Sequence, residues 1–193
     1  MDPNTFPTKG NLILAKNSLA LARQGYELMD KKRNILIREL MELIAQATDI
    51  QKEIDVTFTR AYQALQKANI QMGIHEVEVL SKAVPVENSI TIKRRSVMGT
   101  EIPKVEYEQR ELKPTYSFYG TKMSLDEACQ KFEKVKELAI RLAQIETSAY
   151  RLAYNIKKTQ KRANALQNIT IPKYEVLTKS IQDYQEEKER EEF

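Results

Sequence analysis

From Thr8 to Lys82 the apolar residues recur at alternating intervals of three and four. A seven-residue frame places Leu12, Leu19, Tyr26, Arg33, Leu40, Ala47, Ile54, Ala61 and Ala68 on its first position, eight of the nine apolar. The fourth position holds Ala15, Ala22, Met29, Leu36, Leu43, Ile50, Thr57, Ala64 and Gln71, seven of them apolar. The opposite face carries only Ala45 and Ile74 among its apolar residues. A narrow stripe with a polar back predicts a long helix that packs along a seam, about 105 Å for ~70 residues. Leu14, Leu21, Leu28 and Ile35 flank this seam early, and Ile37, Ile44, Phe58, Leu65 and Met72 flank it later on the other side. That drift implies a period above 3.5 and hence weak supercoiling, with part of the early flank free to meet a partner.

Between Val84 and Gly120 the texture changes. Pro85, Pro103 and Pro114 appear among β-branched and aromatic residues, as in Ser89 to Val97, which reads as a strand. Met98-Gly99-Thr100-Glu101 reads as a turn and Ile102 to Tyr107 as the return strand, a β-hairpin with Pro103 at a strand start or on a free edge. A lone hairpin is marginal in water, so this one should lean on the helices or on another protein. Ser124-Leu125-Asp126-Glu127 has the form of a capping box and predicts the start of a second long helix over residues 124–190. Its seam runs through Ala128, Val135, Leu142, Ala149, Ile156, Ala163, Thr170, Leu177 and Tyr184, eight of the nine apolar, with Leu138, Ile145, Leu152 and Leu166 alternating up to Pro172. Past Pro172 the frame shifts to Tyr174 and Ile181, as an interruption or bend there would produce.

The expected fold is mainly α: two long helices, 8–82 and 124–190, in an antiparallel left-handed, weakly supercoiled coiled coil, with a β-hairpin insert over 84–120. Together they would form a single elongated domain. Composition agrees, with 41% apolar and 30% charged residues, five Gly and no Trp. The lone Cys129 leaves stability to packing, as in a reducing compartment. The N-terminus has no basic stretch followed by an apolar run, and no run of about 18 apolar residues occurs, so neither secretion nor membrane insertion is expected.

Little here suggests catalysis. His75 is the single histidine, most simply a surface or capping residue, which argues against a histidine-dependent triad or a Cys/His zinc cluster. Neither a phosphate-cradling loop nor a dinucleotide fingerprint is present. No cofactor is expected. Two basic runs do stand out, Lys31-Lys32-Arg33 and Lys157-Lys158-Thr159-Gln160-Lys161-Arg162, at comparable heights on the two arms. They would form a positive band suited to an acidic or polar-lined collar. Arg33 occupies a seam position, which costs stability unless its stem lies along the seam or a partner takes its charge.

The same residues resemble the D subunit of the V-type and archaeal A-type rotary ATPases. Pro7-Thr8-Lys9, Asn11-Leu12, and then Ala22, Gly25, Leu28, Lys32, Arg33 and Asn34 match its opening pattern. Lys157-Lys158-Thr159-Gln160-Lys161-Arg162-Ala163-Asn164-Ala165-Leu166-Gln167 with Ile171-Pro172 is similar to its C-terminal motif. Departures are Lys161 for Arg, Ala163 for Val, Gln167 for Glu, and a chain that stops at Phe193 where relatives commonly continue. The resemblance implies a non-catalytic central-stalk shaft that carries torque, on the cytoplasmic side and peripheral to the membrane. Its implied partners are the catalytic A and nucleotide-binding B subunits, a small stalk protein known as the F subunit, and a socket protein that joins the shaft to the membrane ring. Lys157, Lys158, Lys161, Arg162, Asn164, Lys32 and Arg33 would face the catalytic ring; Ile90, Ile92, Arg94 and Arg95 would face the socket end. Competing readings are a basic helical arm that binds RNA, like that of seryl-tRNA synthetases, and a curved membrane-binding dimer.

Overall fold

The computed structural model describes residues 6–108 and 115–192; Pro114, counted above in the insert, lies outside them. The described residues form long helices and one two-stranded antiparallel sheet. In chain order they are α1 (Lys9–Met72), α2 (Ile74–Ser81), β1 (Ile90–Val97), β2 (Thr100–Tyr107), α3 (Met123–Ala165), a π turn (Leu166–Thr170) and α4 (Ile171–Glu192).

All seven buried apolar residues of α1 lie on the two seam positions, and their order is informative. Ala15, Ala22 and Leu36 come from the fourth position; Ile54, Ala61 and Ala68 come from the first, joined by Ala64. A helix of 3.6 residues per turn falls back about 20° per seven residues, so the inward direction passes from one position to the other after three repeats. Alanine supplies five of the seven, which lets a facing backbone approach closely.

The first helix is shorter than the expected 8–82. Gly73 sits at φ +91°, outside the helical region, and the chain restarts as α2. The restart folds Val77 against Ala68 and Leu125 in a small apolar cluster, with Leu65, Met72, Leu80, Tyr116 and Cys129 packed around it.

The hairpin turn is tighter than the sequence suggests. Only Met98 and Gly99 lie outside the strands, at φ +48° and +76°, so Thr100 and Glu101 already pair with Val97 and Ser96. Two successive positive φ values are what a two-residue hairpin turn with the right twist requires, and Met98 adopts one at a steric cost. Replacing Met98 with Gly or Asn should therefore stabilise the hairpin by roughly 0.5–1 kcal/mol, read as slower hydrogen exchange of its amides. Pro103 costs the ladder nothing. Val105 N–H, two residues on, donates away from β1 to Gln144 Oε1 at 2.8 Å, so the nitrogen of Pro103 also points outward.

The second helix does not start on a capping box. It begins at Met123; Ser124 is buried and its Oγ donates to Gln71 Oε1 at 2.7 Å, while Glu127 pairs with Lys131 at 2.6 Å. Ser124 has been recruited to satisfy a neighbouring helix instead of its own first turn. Near Pro172 the helix is interrupted without ending. It passes through a π turn in which Ile171 N–H bonds Leu166 C=O, and Pro172 becomes the second residue of α4.

The molecule divides into two compact units. One contains the chain up to Arg38 together with Ala153 onward; the other is Glu39–Leu152. In the first, Arg33 meets Gln160, Gly25 faces Leu166, and Arg23 pairs with Glu175, so the two stretches of chain run in opposite directions. In the second, Tyr62 packs edge-on against Phe132 at 5.6 Å, Lys67 lies 3.9 Å from Glu127, and Gln71 reaches Ser124, again in reverse order. Two buried hydroxyls are satisfied locally: Ser148 and Thr178 each donate to the carbonyl four residues back at 2.7 Å.

Gly25 has room for more. A Cβ there would meet Leu166 Cδ1 at 3.7 Å, an ordinary contact. Gly25→Ala should raise stability by about 0.5–1 kcal/mol, seen as a higher urea midpoint.

A cationic band and an anchored hairpin

The two basic runs come together in the first unit. Arg33 Nη1 donates to Gln160 Oε1 at 2.7 Å, which sets Lys31-Lys32-Arg33 beside Lys157–Arg162. Thr159 and Ala163 are buried on the seam, so Lys157, Lys158, Lys161, Arg162 and Asn164 are turned outward and exposed. Asn164 Oδ1 accepts a hydrogen bond from Gln160 Nε2 at 2.8 Å. Among the described residues no carboxylate pairs with Lys32, Lys157, Lys158, Lys161 or Arg162, although most other arginines of the chain are paired. Unpaired cations clustered on one stretch produce a local positive field.

Arg33 differs from its neighbours. Its Nη2 lies 2.5 Å from Asp30 Oδ1, one turn back, and only about a quarter of its side chain is exposed. Its Nε is buried with no hydrogen-bond partner. The seam charge is thus met within the chain by Asp30 and Gln160, and Arg33 serves chiefly to join the two halves of the band. The same unit exposes apolar residues at seven-residue spacing on α1: Leu14 (64%), Leu21 (72%), Leu28 (64%) and Ile35 (42%). This is the early flank seen in the sequence, uncovered in the isolated chain.

In the second unit the hairpin presents β1 outward; Ile90, Ile92, Arg94 and Arg95 are all exposed. Arg94 lies 3.4 Å from Glu101 on the opposite strand, and Arg95 lies 3.7 Å from Glu39 of α1. A cleft of about 710 Å³ opens beside that contact, lined by Glu39, Glu42, Arg95, Lys104 and Arg141, a mixture of both charges. His75 is exposed near the start of α2.

Sequence reasoning missed what holds the hairpin. Lys136 of α3 lies 2.7 Å from both Glu87, in the segment before β1, and Glu133 on its own helix. Tyr107, at the end of β2, donates its hydroxyl to Glu133 at 2.5 Å, and the Lys136 ammonium sits 5.5 Å above the Tyr107 ring. Ser89 donates both its N–H and its hydroxyl to Glu87, at 2.9 and 2.6 Å. The bond from Lys136, then those from Ser89, hold the Glu87 carboxyl down at about 2. Desolvation works to lower Lys136, but hydrogen bonds to Glu133 and Glu87 outweigh it and the ammonium is held well above its usual value. Burial first, and the bond to Glu133 second, push Tyr107 up. The group joins both ends of the hairpin to α3. Only the short spacing of Glu133 and Lys136 is visible in the sequence.

Among the described residues there is no group of three or more His, Cys, Asp or Glu that could hold a metal ion, and no helix is long and apolar enough to cross a membrane. What the geometry defines is a long-helix protein whose distinctive surface is a run of unpaired cations, beside exposed apolar residues, with a small hairpin fixed to the helices.

The family model for the D subunit of ATP synthase matches residues 11–193. The D subunit of the V-type ATP synthase of Thermotoga neapolitana is 46% identical over 187 residues, covering 97% of this chain and 92% of that protein. The D subunits of the A-type ATP synthases of Pyrococcus furiosus and Thermococcus kodakarensis are each 34% identical, over 190 and 193 residues, with 97% and 98% of this chain and 89% and 90% of theirs covered. The chain belongs to the family of ATP synthase D subunits.

Proposed function

We propose that this chain is the non-catalytic central-stalk shaft of a V-type/A-type rotary ATPase, carrying torque between the catalytic ring and the ion-translocating ring of the membrane. In this reading the long helices pair as one elongated, antiparallel, weakly supercoiled left-handed coiled coil. The A and B subunits surround the cationic band, the small F subunit attaches at the side, and a socket protein links the hairpin end to the membrane ring on its cytoplasmic face. Lys32, Lys157, Lys158, Lys161, Arg162 and Asn164 meet the ring, with Arg33 holding the band together; Ile90, Ile92, Arg94 and Arg95 meet the stalk end.

The observation that carries this is the set of unpaired, outward cations on a long-helix scaffold of this family. A shaft that turns through equivalent orientations cannot bind one of them tightly, because each 1.4 kcal/mol lengthens residence about tenfold. Exposed ionic contacts worth roughly 0.2–1 kcal/mol each suit that requirement better than a deep pocket. Paired helices also resist bending and twisting more than one alone. The alternative of an RNA-binding arm gains nothing from the family assignment.

Purifying a tagged chain from its own cells at moderate salt tests the reading. Co-purification of the ATPase ring and a small stalk protein supports it; RNA recovered without them sinks it. Replacing Lys158, Lys161 and Arg162 together with Ala should leave helix content unchanged and weaken torque transfer. Three contacts of ~0.5 kcal/mol correspond to about a tenfold effect on coupled turnover. Unaltered ATP-driven rotation of the reconstituted triple variant would remove the band from the mechanism.

A further inference from the structure

We propose that Pro172 and the π turn Leu166–Thr170 form a register lock that selects one of two alternative seams for the last helix. Unlike α1, α3 keeps to fixed seven-residue lines: Leu138, Ile145, Leu152 and Thr159 are buried on one, and Ala128, Val135 and Ala163 on the other. Continued without interruption, these lines would reach Leu166, Lys173 and Ser180, and Thr170, Leu177 and Tyr184. The buried residues of α4 are instead Ile181 and Thr178, each one position later. A π turn closes over five residues where an α turn closes over four, and so takes up one extra residue. The bond from Ile171 N–H to Leu166 C=O is that turn, and it accounts for the shift on both lines.

The two registers offer similar apolar content. The observed one turns Tyr174 and Ile181 toward the seam; the uninterrupted one would turn Leu177 and Tyr184 there, with the helix rotated by about 100°. Leu177 is half-buried in the observed register as well, so hydrophobic burial separates the two only weakly. Three features belong to the observed register. Pro172 has no N–H, and in an unbroken α-helix its ring would press on the carbonyl of Asn168. Thr170 Oγ1 donates to the Ala165 carbonyl at 3.4 Å, across the widened turn. Arg23 pairs with Glu175 at 2.7 Å, a contact that a rotation of one residue would break. The lock also decides which side chains face out: in this register Val176 is 70% and Tyr184 52% exposed. The face that α4 offers to any neighbour is set by a turn that itself need touch nothing.

Spin labels at the exposed positions 16 and 179, placed by Lys16→Cys and Lys179→Cys in a Cys129→Ser chain, report the rotation as a distance distribution. The otherwise unaltered chain should give one distance. Pro172→Ala should add a second population, and deleting Gln167 in that variant, which removes the extra residue while keeping Tyr174 and Ile181 on the seam, should restore the single original distance. A single original distance in Pro172→Ala overturns the lock, as do two populations with Pro172 in place or a second population that survives the deletion.

Discussion

Leu152→Ala is expected to lower the unfolding free energy of the chain by about 2–5 kcal/mol, and Leu36→Ala by a similar amount. Both side chains are completely buried, one in each compact unit. Truncation removes apolar surface that folding had withdrawn from water and leaves a cavity that a seam of small residues fills only in part. Of the seven buried apolar residues of α1, Leu36 and Ile54 alone are larger than alanine, so few large side chains carry the burial and each carries much of it. Leu21→Ala is the control. Its side chain is 72% exposed, and its loss should change the stability of the isolated chain by less than about 0.5 kcal/mol. Urea unfolding of the three variants separates the cases. Equal effects for Leu36 and Leu21 would mean that the seam lies elsewhere.

The seam is legible in the sequence because periodicity is a property of every turn of a helix and the signal accumulates over dozens of residues. Even the drift of burial from Ala15, Ala22 and Leu36 to Ile54, Ala61 and Ala68 follows from the mismatch of 3.6 with seven. What escapes depends on single residues whose partners lie far away along the chain. Ser124 matches a capping box, yet it bonds Gln71, 53 residues earlier. Nothing local distinguishes the two uses of a hydroxyl. The expected helix over 8–82 runs straight through Gly73, and only the cluster of Val77 with Ala68 and Leu125 explains why the chain turns there. The frame shift after Pro172 is visible, but its form is not: a proline can bend a helix, end it or be preceded by a π turn, and the local residues permit all three. For the cationic band, the sequence marks Arg33 as out of place on a seam. Asp30 at 2.5 Å and Gln160 at 2.7 Å show how the chain accommodates it.

Acidification should detach the hairpin before it unfolds the long helices. Glu87 is held near 2, against about 4.5 for an unconstrained glutamate, so its contribution to stability is fully present above about 4.5 and is lost as pH falls toward 2. The cause is local: Lys136 and Ser89 bond the charged carboxylate, and a protonated one accepts those bonds more weakly. Lys136 has the opposite sign. Its pKa is raised in the folded chain, so its contribution is complete below about 10.5 and disappears only as pH rises through the higher folded value. Between these limits the group is intact, and hydrogen exchange of the β1 and β2 amides should be slow and nearly independent of pH once the intrinsic rate is divided out. Below about 4.5 their protection should fall while that of α1 near Leu36 persists. Lys136→Met should produce the same loss of hairpin protection at neutral pH, because it leaves Glu87 and Glu133 facing each other without the shared cation. Removing the acid group by Glu87→Gln should abolish most of the pH dependence between 4.5 and 2. If hairpin protection in the unsubstituted chain stays level through that window, the anchor is not electrostatic, and Ile102, buried at 4% exposure on β2, would have to hold the hairpin by packing alone.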